Sequence, residues 1–172
     1  MKRQTRWKLL QWLVLGLEVF VLFFLSDTAG IFPMIAGAKP ALLLCAAMSI
    51  ALSGVGELTA MSFGILCGLL MDFSRGGPYG FHGAILAVLC YISASLVRYL
   101  FQKNLLSALL LTIVAIVLVF SLEWLFFYVV WGYPDPLYLL LHHYVPSAIY
   151  TLVLAVPVYF LTRGLSSVFQ EK

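Results

Sequence analysis

Residues 105–131 contain the run LLLTIVAIVLVF, and residues 7–25 contain WLVLGLEVFVLFFL. Both runs are continuously apolar and of helical length, with no alternation of apolar and polar positions. The hydrocarbon core of a bilayer is about 30 Å thick, and roughly 20 apolar residues in a helix cross it. Membrane strands would instead show segments of about ten alternating residues, so a β-barrel is disfavoured. The rest of the chain matches these runs. Of its 172 residues 63% are apolar and 10% charged, and the mean hydropathy is +1.06. A soluble domain carries about a quarter charged residues. Both a soluble fold and intrinsic disorder, which needs low hydrophobicity and high charge, are therefore excluded.

The pattern predicts an all-α membrane protein forming a single integral domain over residues 1–172, with about six spans. These lie near residues 7–25, 40–54, 58–72, 81–100, 105–131 and 145–163. Lys2, Arg3 and Arg6 precede the first run, which is longer than a signal-peptide core and has no small-residue cleavage site after it, so it reads as a retained signal anchor. Pro40 is expected to open the second span as a first helical residue. Pro146 and Pro157 are expected to break the sixth. The second and third spans are short and joined by a Gly-rich connection.

Cationic residues set the direction. With the N-terminus inside, the inner side receives Lys2, Arg3, Arg6, Lys8, Arg98, Lys103, Arg163 and Lys172, and the outer side only Lys39 and Arg75. This predicts an N-in, C-in topology, which requires an even number of spans. Trp7, Trp12, Trp131 and Tyr133 suit interfacial belts.

Small residues show how spans can pack, because lipid gives little drive to bury Leu against Leu. Ala60, Gly64, Gly68 and Asp72 recur every four residues on the third span. Gly83, Ala87, Cys90 and Ala94 form a similar stripe on the fourth. Spans three and four are therefore expected to pack backbone against backbone. The fifth span, rich in Leu, Val and Ile, is expected at the periphery.

Ionisable groups within spans are costly, by about 2.5–3.5 kcal/mol on insertion scales, and are the candidates for function. Glu18 lies mid-span, and Glu123 lies in the outer half of the fifth span. Glu18 is read as a clamp hydrogen-bonded to a neighbouring Ser or Thr, or as paired with a partner protein. Asp72 opens DFSRGGPYG, whose Gly76, Gly77, Pro78 and Gly80 force a turn. A carboxylate is unfavourable at a helix C-terminus, so Asp72 needs compensation. It either pairs with Arg75 or caps backbone N–H groups of the turn.

No known constellation for catalysis accompanies these residues: there is no GxSxG, HExxH, P-loop or Cys/His pair. Cys45, Cys67 and Cys90 read as small buried hydrophobes. His82, His142 and His143 have no helper ligands at metal spacing, so neither a metal nor another cofactor is expected. No basic surface with aromatic residues points to nucleic acid.

The order of these features resembles the MreD family of the bacterial rod-shape system. The chain has a basic N-terminus, a first span bearing Glu18 and a second opened by Pro40. The most specific piece is the segment G-x3-G-L-x2-D-x7-G from Gly64 to Gly80. Val145-Pro146-Ser147-Ala148 follows at the last span, with Ser147 where the family often has Thr. The resemblance implies a non-enzymatic scaffold of the elongation complex in the bacterial cytoplasmic membrane. It implies association with MreC and, through it, connection of the MreB filament to RodA and a class B penicillin-binding protein. In fold the family is similar to the six-helix S components of energy-coupling-factor transporters, which leaves a vitamin-binding subunit as the alternative. Against that alternative, the first span lacks the Ala-x3-Ala pairs such subunits use for docking.

Overall fold

The structure is a computed structural model. It describes the backbone of residues 2–28, 39–76, 80–99, 105–130, 132 and 135–170, and the side chains of these apart from residues 2–8, 136, 139 and 168–170. The expectations for the Lys2, Arg3, Arg6, Trp7 and Lys8 side chains, and for Gly77, Pro78, Lys103, Trp131, Tyr133 and Lys172, lie outside the described residues. All regular elements among the described residues are helical. They are α1 (Lys2–Asp27), α2 (Leu42–Leu52), α3 (Glu57–Arg75), α4 (Phe81–Tyr99) and α5 (Leu105–Trp124). A π-helical turn, Leu125–Val129, extends α5. The short α6 (Pro136–Leu139) passes through a second π turn, Leu140–Tyr144, into α7 (Val145–Gln170).

Five helical segments among the described residues are long and apolar enough to cross a membrane. The remaining apolar helix, α2, has 11 residues, a length of about 16 Å at ~1.5 Å per residue. All of its residues are buried. A helix that is apolar on every side belongs in the interior of a bundle, and α2 packs against α1, α3, α4, α5 and α7. Among the described residues the chain nevertheless runs between the two ends of the bundle six times. Ser26, Lys39, Ser74 and Arg75 share one end, while Ser53, Arg163 and Ser166 share the other.

Three boundaries differ from the sequence reading. Helix α2 begins at Leu42 rather than at Pro40, because Ala41 adopts a non-helical φ of −89° and ψ of 69°, with its N–H donating to the Thr151 hydroxyl of α7 at 3.0 Å. The Ser147 hydroxyl donates to the Lys39 carbonyl at 2.8 Å, holding the same segment. Helix α7 is not broken by its prolines: it runs from Val145 to Gln170 with Pro157 inside it. Proline is tolerated within membrane helices, where neighbouring groups and local adjustment satisfy the freed carbonyl. Pro146 stands at the start of α7, directly after a π turn, where the tight i−4 contact of a regular helix is already relaxed. Finally, α3 continues past Asp72 to Arg75 and stops at Gly76, whose φ of 66° is the left-handed helix cap that glycine adopts without strain.

The most extensive pairing is α3 against α4. A Cβ built on Gly68 would overlap the Gly83 Cα and lie 2.5 Å from the Gly83 nitrogen. One on Gly64 would lie 2.6 Å from the Leu86 carbonyl oxygen and 3.0 Å from the Cys90 sulfur. The obstacles are backbone atoms, so these positions require glycine. Gly83 is different: its Cβ would meet the Leu69 side chain at an ordinary 3.4 Å. Gly83 therefore acts as the backbone surface that Gly68 touches. Ala60 is fully buried and Ala87 nearly so, continuing the seam toward the start of α3 and the end of α4.

Helix α5 lies at the edge. Ala108, Thr112, Ala115, Ile116, Val119 and Phe120 face inward, while Leu106, Leu110, Val114 and Val117 are exposed. Helix α1 likewise exposes Leu9, Leu13, Leu17 and Phe20 and buries Leu15, Val19 and Leu22. These outer faces are the apolar surface that lipid or a partner helix would cover. The three cysteines are buried free thiols.

The seam generates a graded prediction. Gly64→Ala and Gly68→Ala should each destabilise the purified protein by about 1–3 kcal/mol, the usual cost of overpacking. Gly83→Ala should leave its thermal midpoint in mild detergent nearly unchanged. Equal losses at Gly64, Gly68 and Gly83 would contradict the assignment of the contact.

Candidate functional site

The turn between α3 and α4 brings Asp72 to the start of the next helix. Its carboxylate accepts from the Gly80 N–H at 2.8 Å and from the His82 N–H at 3.3 Å. The His82 Nδ1 lies 2.6 Å from Oδ1 of the same carboxylate. Asp72 is 1% exposed and His82 4% exposed, so this cluster is shut away from solvent. A carboxylate is unfavourable at the end of its own helix. Here it serves the N-terminus of α4, where unpaired N–H groups and the helix dipole favour negative charge.

Arg75 does not pair with Asp72. Its guanidinium reaches α5 and donates to both oxygens of Glu123, at 3.0 and 2.9 Å. The His82 Nε2 lies 3.5 Å from Glu123 Oε2. That distance is too long for a formed hydrogen bond, but it is within reach of an ion pair. Asp72, His82, Glu123 and Arg75 thus form one chain of polar groups across α3, α4 and α5. Ser74 ties the same end to α1 by donating to Asp27 at 3.0 Å.

Glu123 also opens onto a cleft of about 310 Å³ lined by Lys39, Arg75, Tyr128, His143, Tyr144 and Ser147. Both π turns contribute to it, Tyr128 from the first and His143 and Tyr144 from the second. Single π turns are frequent at functional positions. His142 turns away and stacks on Tyr138, with ring centroids 4.1 Å apart. Among the described residues, no group of three or more His, Cys, Asp or Glu side chains is placed to hold a metal ion.

Glu18 belongs elsewhere. It is buried between α1 and α7, and its Oε1 accepts from the Thr162 hydroxyl. Thr162 also faces its own Val158 carbonyl at 3.0 Å. Glu57 pairs with Arg98 at 3.2 Å at the surface, joining the start of α3 to the end of α4. Pro146 carries no polar contact of its own and is followed by Ser147, which holds the Lys39 segment.

Sequence reasoning singled out Asp72, Arg75, Gly80 and Glu123 but missed the residue joining them. His82 lies ten positions from Asp72 and 41 from Glu123, so no local spacing links the three. A histidine two residues beyond the turn glycine that Asp72 caps was the available signal. Thr162 and Thr151 were missed too, because a threonine in an apolar helix looks like filler until its opposite face is known.

The network predicts an order of sensitivity. Asp72→Asn keeps one acceptor but turns a donor toward N–H groups, and should cost about 2–3 kcal/mol as a buried mismatch. Glu123→Gln leaves Arg75 partly solvated and should cost less, about 1 kcal/mol. Thermal midpoints of the purified variants test this, and a larger loss for Glu123→Gln would contradict it.

The comparisons agree with the architecture. The family described as rod shape-determining protein MreD matches residues 6–169, nearly the whole chain. Searches among curated proteins and among solved structures returned no match. Matched over nearly its whole length and folded as an all-helical apolar bundle, the chain belongs to the MreD family of rod shape-determining membrane proteins.

Proposed function

We propose that the protein is a non-enzymatic scaffold of the rod-shape machinery, spanning the bacterial cytoplasmic membrane several times with both termini inside. In this reading it binds MreC and, through it, helps couple MreB to RodA and a class B penicillin-binding protein. The observation that carries the reading is how the bundle spends its polar residues. Asp72, His82, Glu123 and Arg75 join α3, α4 and α5 to one another. The outer faces of α1 and α5 remain apolar and exposed. A rigid interior with apolar flanks suits a protein that meets its partners through helix faces within the bilayer. The described cations support the topology: Arg98 and Arg163 stand at one end, Lys39 and Arg75 at the other.

A second reading is a solute-binding subunit like the S components. It rests on the 310 Å³ cleft, which falls at the small end of ligand-pocket volumes. Arg75 lines this cleft, whereas Asp72 and His82 are buried and do not.

Affinity purification of the tagged protein in mild detergent separates the two. Recovery of MreC with RodA and a penicillin-binding protein supports the scaffold, whereas recovery of a transporter ATPase pair supports the solute reading. Within the scaffold reading, Gly68→Leu should force α3 and α4 apart and reduce recovered MreC at least severalfold, while Gly83→Ala retains it. Undiminished recovery with Gly68→Leu at normal expression would contradict the role given to the seam.

A further inference from the structure

The end of the bundle opposite the Asp72 network holds a smaller cleft of about 180 Å³. It is lined by Ser49, Ser53, Tyr159, Arg163, Ser166 and Ser167, together with Leu52. We propose that this cleft is a binding site for a phosphate group, supplied by the headgroup of an anionic phospholipid. Its lining contains hydroxyls and one guanidinium but no carboxylate. Arg163 has no carboxylate partner among the described residues. The neighbouring arginine at this end, Arg98, is already paired with Glu57.

Two hydroxyls of the cleft are spent locally. Ser53 donates to the Ile50 carbonyl at 2.7 Å and Ser167 to the Gly164 carbonyl at 2.9 Å. Ser166 is 2% exposed, and its Oγ has no hydrogen-bond partner. A buried hydroxyl left unpaired is costly, and one that lines a cleft beside an unpaired arginine is placed to share a ligand with it. A phosphate offers several acceptor oxygens to such a donor set, and guanidinium–phosphate bonds are among the stronger charge-assisted ones.

The position points to a lipid as the source. Arg163 lies 18 residues beyond Val145, about 27 Å along α7 at ~1.5 Å per residue, which is close to the thickness of the hydrocarbon core. The site therefore falls at headgroup level. Phe160, exposed on α7 next to Tyr159 of the cleft, offers apolar surface for an acyl chain. A free phosphate ion would use the donors but not that surface.

The test uses the full-length protein, purified and stripped of lipid in detergent, with phosphatidylglycerol titrated in. Native mass spectrometry counts bound lipid and thermal melting reports stabilisation. Phosphatidylglycerol should raise the melting temperature of the wild type. Its affinity should fall about tenfold in Arg163→Gln, the scale of one lost charge-assisted hydrogen bond. Ser166→Val should also weaken it severalfold while leaving the lipid-free protein as stable or more so, which separates lost binding from lost folding. Arg98→Gln should bind as the wild type does. Equal affinity in all four proteins would overturn the site. Inorganic phosphate should give no comparable rise at equal concentration. An equal rise would overturn the lipid as the source.

Discussion

The contact between Gly68 and the backbone of Gly83 is the constraint on which the rest of the bundle depends. Two helices can approach this closely only where one of them turns no side chain toward the other's backbone, as at Gly68, and a membrane offers little hydrophobic drive to hold them otherwise. The approach sets where α4 begins relative to the end of α3. That placement puts the Asp72 carboxylate against the Gly80 and His82 N–H groups, one turn further along the same face of α3. His82 then faces Glu123, and Arg75 closes the chain to α5. A stripe of small residues thus becomes a polar network, because removing side chains in one turn lets charges meet in the next.

The short helix α2 shows a second consequence of the solvent. It is too short to cross a bilayer alone, yet it sits at the centre with every residue buried. Its N-terminal N–H groups cannot be left to lipid, and α7 supplies Thr151 and Ser147 to the segment that leads into it. The second span is therefore held by other helices on all sides rather than by its own hydrophobic length. This also explains why Thr151 sits fully buried within an otherwise apolar helix, as the bond to Glu18 of α1 explains Thr162.

Much of this was legible in the sequence. Continuous apolar runs gave the helices, and four-residue spacing gave the α3–α4 seam, because both are local properties of one helix. The choice between the two partners for Asp72 was not local. Arg75 lies three residues away on the same helix, but its long side chain reaches outward to Glu123, while the short carboxylate reaches forward to the next N-terminus. The prolines misled for a similar reason. Pro157 reads as a break by the rules for soluble helices, yet α7 continues through it. Membrane helices tolerate a proline that would break a soluble helix, because neighbouring groups and local adjustment accommodate it.

The glycine contact and the Asp72 cap form two parts of one lock. A double-mutant cycle on Gly68→Ala and Asp72→Asn, read as thermal stability of the purified protein, tests this directly. If either change already loosens the junction of α3 and α4, the second should cost distinctly less than it does alone, with a coupling of about 1 kcal/mol or more. Strictly additive losses would mean that the seam and the cap act independently, and would contradict the central claim.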